Sequence, residues 1–273
     1  MSTAGFCQIN PEITPRIAIV IPARMDSERL PGKALLQFSG LPMIEHVRRR
    51  GELNSYKVPV FVASGDEQIL AVVSAFGGKA IRTIENHPNG TSRVNEVSKN
   101  LDFTHYLVLQ GDELLVLPEQ IDSLIKSIIE QPQINFLNLT TEILSEQDIL
   151  DESVVKCVLD QNRKILFLFR KSPLIGNYSD QLGSIKKICG IFAVSKSALH
   201  LICEAESSQL EKTQSIEQLR YIEMGETIYS LDVIENFPSI NLSSDIEKVE
   251  SVFISSPIQR EILNKILPTN DTK

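Results

Sequence analysis

With 273 residues, 42% of them hydrophobic and 23% charged, the chain is long enough to bury a full core as one large α/β unit, or as one unit with a smaller lobe. A formal net charge of -8 argues against general binding to nucleic acid or an anionic membrane, but leaves room for a small anion in a locally basic cleft. Residues 1–15 show no charged leader followed by an apolar run, and nothing approaches the roughly 18 apolar residues of a membrane span, so a cytoplasmic protein is expected.

Taken in chain order, residues 17–21 read as a short apolar strand closed by Pro22. A turn at Gly40-Leu41-Pro42 leads to a helix over 43–53, then a strand over 58–63, a helix over 67–76 ended by Gly77-Gly78, and a strand over 79–83. A helix over 92–100 precedes a strand at 106–109 that runs into Gln110-Gly111-Asp112-Glu113, and 118–130 is an amphipathic helix. Elements this closely spaced fit βα units on a mostly parallel sheet. After about residue 133 the pattern changes. Strands are expected at 134–140, 154–160, 166–169 and 188–194, with a hairpin turn at 161–164. Helices follow at 196–206 and 215–224, a strand at 227–233, and a helix at 241–254 with Ser243 or Ser244 near its N-cap. Cys7, Cys157, Cys189 and Cys203 are too scattered to form a paired motif, and read as reduced, buried thiols.

Three strong cations, Arg24, Arg29 and Lys33, follow the first strand. They read either as a solvated basic loop or as a polyphosphate site, and Pro22 and Gly32 favour the second, because they end a strand and permit close backbone approach. The spacing is not that of a P-loop. Asp112, just past a buried strand, reads as a turn cap or as a ligand of a hard metal such as Mg²⁺, which needs few protein carboxylates when it also bridges phosphates. Glu113 beside it is as readily structural as functional. The polar loop from Asn86 to Thr91 is either a plain βα connection or a loop that reads a nucleotide base. His46 and His87 have no partner at a telling spacing, which leaves a hydrolytic triad unsupported.

Several of these stretches together resemble the CMP-KDO synthetases, the 3-deoxy-manno-octulosonate cytidylyltransferases. IPARMDSERLPGK at 21–33 matches a family pattern of IPAR followed by S-x-R-x-P-G-K, NHPNGTSR at 86–93 stands where the family has D-H-x-S-G-T-[DE]-R, and LQGDE at 109–113 fits in the same order. Further matches are VVKCVLD at 154–160, FLFR at 167–170 and LEKTQSIEQLR at 210–220. The resemblance spans 16–254, as a nucleotide-binding half (16–132), a sugar-side and dimerisation region (133–230) and a return to the core (231–254), between an N-terminal extension (1–15) and a C-terminal tail (255–273). It implies a three-layer, Rossmann-like α/β fold of the nucleotide-diphospho-sugar transferase type, with a smaller mixed-sheet lobe. By the same resemblance the chain is a cytoplasmic homodimer that uses CTP and Mg²⁺ to activate a sugar acid. Arg24 and Lys33 would clamp the triphosphate with Arg29 nearby, Ala23, Asn89, Gly90 and Gln110 would lie around the nucleotide, and Asp112 would hold Mg²⁺. Arg170, Gln214, Glu217 and Gln218 would face the sugar acid.

The chain also departs from the family pattern. Where the family has V-D-T-P-E-D-L, with a metal-binding first Asp, residues 240–246 read INLSSDI, which puts Asn241 at that position and leaves Asp245 as a substitute carboxylate. An amide oxygen can ligate but does not offset the metal's charge. On the sugar side, R-H-I-G-I-Y becomes KICGIF at 187–192, Gln214 replaces a glutamate, and Leu114 replaces a proline. Two outcomes follow from these changes: a cytidylyltransferase for KDO or a related octulosonate or nonulosonate, or a catalytically impaired paralogue that binds CTP or a CMP-sugar in a regulatory role.

Overall fold

The computed structural model describes residues 14–267 other than 28, 85 and 236, so Cys7 lies outside the described residues. Its first half runs β1 (Ile17–Pro22), a 3-10 turn (Lys33–Leu35), β2 (Gln37–Phe38), β3 (Leu41–Pro42), α1 (Met43–Glu52), β4 (Val60–Ser64), α2 (Glu67–Ala75), β5 (Lys79–Arg82), α3 (Gly90–Asn100), β6 (His105–Leu109) and α4 (Pro118–Glu130). The second half runs β7 (Phe136–Glu142), α5 (Glu146–Leu150), β8 (Lys156–Leu159), β9 (Ile165–Phe169), α6 (Tyr178–Gln181), β10 (Lys186–Ser195), α7 (Lys196–Glu204), α8 (Gln209–Gln214), α9 (Gln218–Glu223), β11 (Tyr229–Asp232), α10 (Ser244–Ser255) and α11 (Pro257–Ile266).

All six residues of β1 are buried, which requires a covered face on each side of the sheet. Alternation along the strand supplies both. Ile17, Ile19 and Ile21 pack with Ile44 and Val47 of α1, Val73 of α2 and Leu124 of α4. Ala18 and Val20 pack on the other side with Val94 and Val97 of α3 and with Leu199 of α7. The result is a three-layer fold around a mixed, mostly parallel sheet in the order β11-β7-β10-β6-β1-β4-β5, with β8 and β9 branching off it where β8 pairs with the first residues of β10. β1 runs parallel to β4 and β6, whereas β10 is antiparallel to both β6 and β7. Since β1 and β6 are parallel neighbours, the cationic loop after Pro22 and the Gln110–Asp112 turn emerge at the same sheet edge.

The hairpin turn at 161–164 forms as expected, with the Asp160 Oδ1 accepting from the backbone N–H groups of Asn162 and Lys164 at 2.8 Å each. Other expectations need correction. The turn before α1 lies at Ser39-Gly40, where φ is positive at both residues, so Leu41–Pro42 pairs as a strand with Gln37–Phe38. The helix expected over 215–224 is shorter, α9 at 218–223, and a separate helix, α8, precedes it and ends where Ser215 takes a left-handed conformation (φ 52°). Ser243 does occupy the N-cap of α10, but its side chain makes no cap bond. The segment taken as a tail carries α11, whose Gln259 is fully buried and donates Nε2 to the Leu115 carbonyl at 2.7 Å. Cys157, Cys189 and Cys203 are free, and burial pushes each thiol up to about 12, as inert structural cysteines behave. Among the described residues no helix is long and apolar enough to cross a membrane.

Candidate functional site

A cavity of about 270 Å³ opens at the carboxyl ends of β1 and β6. Among its lining residues are four cations, Arg24, Arg29, Lys33 and Arg93, and a single carboxylate, Asp112. In an acidic chain this concentration of positive charge favours a polyanionic ligand. Three of the four, Lys33, Arg29 and Arg93, have different anchors. Lys33, brought in by Gly32 in its left-handed conformation (φ 73°), donates Nζ to Asp112 Oδ2 at 2.7 Å and to the Ile240 carbonyl at 3.3 Å. Arg29 Nη2 donates to Asn241 Oδ1 at 2.6 Å. Arg24 is exposed at the cavity mouth. Arg93 is buried on α3, where Nη1 donates to Thr83 Oγ1 and to the Ile84 carbonyl, and burial lowers its pKa.

The side of the cavity expected to take the nucleotide is built on close backbone approach. A Cβ on Gly90 would fall 2.9 Å from Pro22 Cγ and 3.5 Å from Gln110 Oε1, so only glycine lets α3 start this close to the end of β1. Asn89 caps α3, its Oδ1 accepting from Ser92 N at 2.8 Å, and its side chain also bonds Glu217. Ala23 is held against β4 by its N–H to the Ala63 carbonyl at 2.9 Å, and both Ala23 and Gln110 line the cavity. His87 is bonded on both ring nitrogens, to Ser92 Oγ at 3.1 Å and Glu96 Oε2 at 2.7 Å, which fits a structural role for it.

The residues expected on the sugar side fall into two groups. Glu217 and Gln218, at the start of α9, each leave one buried oxygen, Oε1, without a protein partner. Arg170 is engaged with backbone: it donates Nε to the Gln214 carbonyl at 3.0 Å, Nη1 to Glu152 and Ser153 at 2.9 and 3.2 Å, and Nη2 to Ser215 at 3.2 Å. Gln214 completes this staple by accepting the Arg170 backbone N–H on Oε1 at 3.2 Å. Beneath them Lys156, fully buried, donates Nζ to the carbonyls of Asp151 and Arg170, and burial lowers its pKa to about 8.

Burial pushes the Glu217 carboxyl up to about 7, against the opposing pull of bonds from Thr91 and Asn89 and the charge of Arg220, with Glu211 adding to the rise. Between the unfolded carboxyl value and about 7 the folded chain therefore holds a proton that the unfolded chain has released. Stability should fall as pH rises through that window, and Glu217→Gln should remove this residue's share of the fall, raising stability at pH 8 by about 1–3 kcal/mol. Urea denaturation of both proteins at pH 5 and pH 8 checks this, and parallel behaviour at the two pH values would refute it.

For a metal, the donor set on this wall is one carboxylate, Asp112, and one amide oxygen, Asn241 Oδ1. Asp245 is committed elsewhere: its Oδ2 accepts from the backbone N–H groups of Asn241 and Leu242 at 3.0 and 2.9 Å, and its Oδ1 from Lys248 at 3.1 Å. Among the described residues no group of three His, Cys, Asp or Glu side chains could hold an ion unaided. Oxygen donors this few suit Mg²⁺ carried in on phosphates, and do not suit a metal held by protein alone.

Known proteins resemble this chain in sequence and fold. Residues 18–228 match the cytidylyltransferase family model. The 3-deoxy-manno-octulosonate cytidylyltransferase of Escherichia coli is 33% identical over 237 residues, covering 87% of this chain and 96% of that one. The chain belongs to the octulosonate cytidylyltransferase family. An 8-amino-3,8-dideoxy-manno-octulosonate cytidylyltransferase from Shewanella putrefaciens is also 33% identical, over 88% of this chain and 99% of its own length. The solved structure of a CMP:2-keto-3-deoxy-manno-octonic acid synthetase complexed with CTP superposes with a TM-score of 0.82 at 32% identity, covering 88% of this chain and 98% of the other. Sequence reasoning about this cytidylyltransferase passed over Arg93 as a fourth cation, although its motif was in view. It also passed over Lys156, for which the only signal was a lysine in an apolar strand.

Proposed function

We propose that the protein couples CTP to an octulosonate-type sugar acid, giving a CMP-sugar and pyrophosphate. The observation that carries this reading is the cavity with four cations around one carboxylate, Asp112, at the ends of β1 and β6. Its charge fits a nucleoside triphosphate, and the relatives of similar length are named for this reaction. Arg24, Arg29 and Lys33 bind the triphosphate, while Ala23, Asn89, Gly90 and Gln110 enclose the cytosine and ribose. Glu217 and Gln218 offer their free oxygens to sugar hydroxyls, and Arg170 with Gln214 shapes that wall. A sugar hydroxyl oxygen bonds to the α-phosphorus in line, the bond from that phosphorus to the bridging oxygen breaks, pyrophosphate leaves, and the hydroxyl proton passes to solvent. No covalent enzyme intermediate is needed, so the chain's own contribution is orientation and charge. Bound Mg²⁺ would supply further charge for the phosphate oxygens, held by Asp112 with the amide of Asn241.

The enzyme acts as a cytoplasmic homodimer in this reading. Exposed apolar side chains on the mixed-sheet lobe, Leu150, Leu166 and Ile175, support self-association there.

The test is pyrophosphate release from CTP and Mg²⁺ with 3-deoxy-manno-octulosonate, its 8-amino analogue and a nonulosonate. Release with at least one acid is expected. Absence of release with all three, together with CTP binding that ignores Mg²⁺, would favour the regulatory reading instead. In the same assay Asn241→Asp should lower the Mg²⁺ concentration for half-maximal rate about tenfold, since a second negative charge joins the site. An unchanged or raised requirement would show that residue 241 does not meet the metal.

A further inference from the structure

Strand β10 bulges where it passes the site. Ile188 lies opposite Thr140 and Phe192 opposite Asn138, so three residues, Cys189 to Ile191, face one residue of β7. The bulge is gripped from both sides. Toward β6, the Gly190 carbonyl accepts from Gln110 N at 2.9 Å, and the Gly190 N–H donates to the Glu113 carboxylate. Toward β7, the Cys189 carbonyl accepts from Asn138 Nδ2 at 3.2 Å. The other end of this fully buried amide, Asn138 Oδ1, accepts from Gln218 Nε2 at 2.6 Å.

Glu113 occupies the space that a side chain at 190 would need: a Cβ there would overlap Glu113 Oε1 and fall 2.8 Å from its Cγ and Cδ. A glycine facing a carboxylate at this contact is a matched pair, and an apolar side chain at 113 would fill the volume but leave the Gly190 N–H unpaired. Burial also pushes the Glu113 carboxyl up to about 7, with the Asp112 charge adding to it, so the clamp is kept at an electrostatic cost.

We propose that Glu113 is a positioning residue joining the two halves of the site. By holding the Gly190 bulge it fixes Gln110 and Asp112 on one side, and through Asn138 it fixes Gln218 on the other. The names of the two sides rest on the proposed function, whereas the mechanical link does not.

Hydrogen–deuterium exchange on the ligand-free protein tests the link directly. In Glu113→Ala, exchange should quicken about tenfold in peptides spanning 105–113, 186–195 and 215–223, with 60–64 unchanged, whereas Glu113→Gln, which keeps an acceptor for Gly190, should stay within about twofold of the parent. Faster exchange at 105–113 alone, or equally in every strand, would overturn the proposal. Should Glu113→Ala not fold, Asn138→Leu cuts the link at its other end: 215–223 should loosen while 105–113 stays protected, and an unchanged 215–223 would overturn it. Kinetics add a second readout, since Glu113→Ala should raise KM for CTP and for the sugar acid together by about tenfold, with rescue in Glu113→Gln. If the parent protein releases no pyrophosphate, the functional reading falls, while the exchange result still decides the link.

Discussion

Lys33→Ala is expected to lower the rate of pyrophosphate release at saturating CTP by about 10²–10³-fold, the loss measured when one preorganised electrostatic donor is removed from a reacting centre. The size follows from two roles carried by one ammonium. Its three donors can serve a phosphate while still holding Asp112 Oδ2, now at 2.7 Å. With the lysine side chain only 18% exposed, its charge acts where water screens it poorly. Removing it deletes a cation from the proposed triphosphate wall and leaves Asp112, the proposed metal ligand, without its ion-pair partner. CTP affinity should weaken less than turnover, because Arg24, Arg29 and Arg93 still line the cavity. Lys33→Arg should recover only part of the rate, since a planar guanidinium cannot place its charge at the same point. Calorimetric CTP binding alongside steady-state rates separates the two effects. A variant within threefold of the parent rate would remove Lys33 from the chemistry.

Arg220→Ala should cost about 3–5 kcal/mol of unfolding free energy, the penalty for leaving one partner of a buried ion pair alone. Arg220 is among the most fully bonded side chains of the fold. Its Nε and Nη2 grip the two oxygens of Glu211 at 2.7 and 2.6 Å, Nη1 reaches the carbonyls of Ile202 and Ala205, and Nη2 also meets Ser207 Oγ. One side chain thus ties the end of α7 and the start of α8 to α9, the helix that presents Gln218. Thermal unfolding should drop by about 8–15 °C for a domain of this size. Replacing both members, Arg220→Leu with Glu211→Leu, should return part of the loss, because the stranded carboxylate dominates the cost. No recovery would mean that the carbonyl contacts, and not the ion pair, hold the three helices.

The legible parts of this molecule are those that local chemistry decides. β1 was readable because an apolar run ends at a proline, and the cationic loop because three strong charges, Arg24, Arg29 and Lys33, follow it closely in the chain. Asp112 was readable for the same reason at the end of β6. The break between α8 and α9 was not, as Ser215 adopts its left-handed conformation without the glycine that normally announces one. Nor was the occupation of Arg170: the carbonyls of Glu152, Ser153, Gln214 and Ser215 that accept its donors converge only in the folded chain. The Gly190 bulge left no trace in the strand's apolar pattern, because two added residues preserve the alternation of faces around it. α11 was legible and went unread: Ile258, Ile262 and Ile266 recur at helical spacing after Ser256 and Pro257, an ordinary helix start.

The far wall of the phosphate site has a consequence for how the protein comes into being. Lys33 and Arg29 find their partners at Ile240 and Asn241, more than two hundred residues along the chain. A nascent polypeptide that has already laid down β1, β4 and β6 holds all four cations, and Asp112 for Lys33, but neither the Asn241 amide that holds Arg29 nor the Ile240 carbonyl that adds to the hold on Lys33. In the proposed reading, these two contacts can form only once residues 240 and 241 have followed β11, the last strand of the sheet to be made.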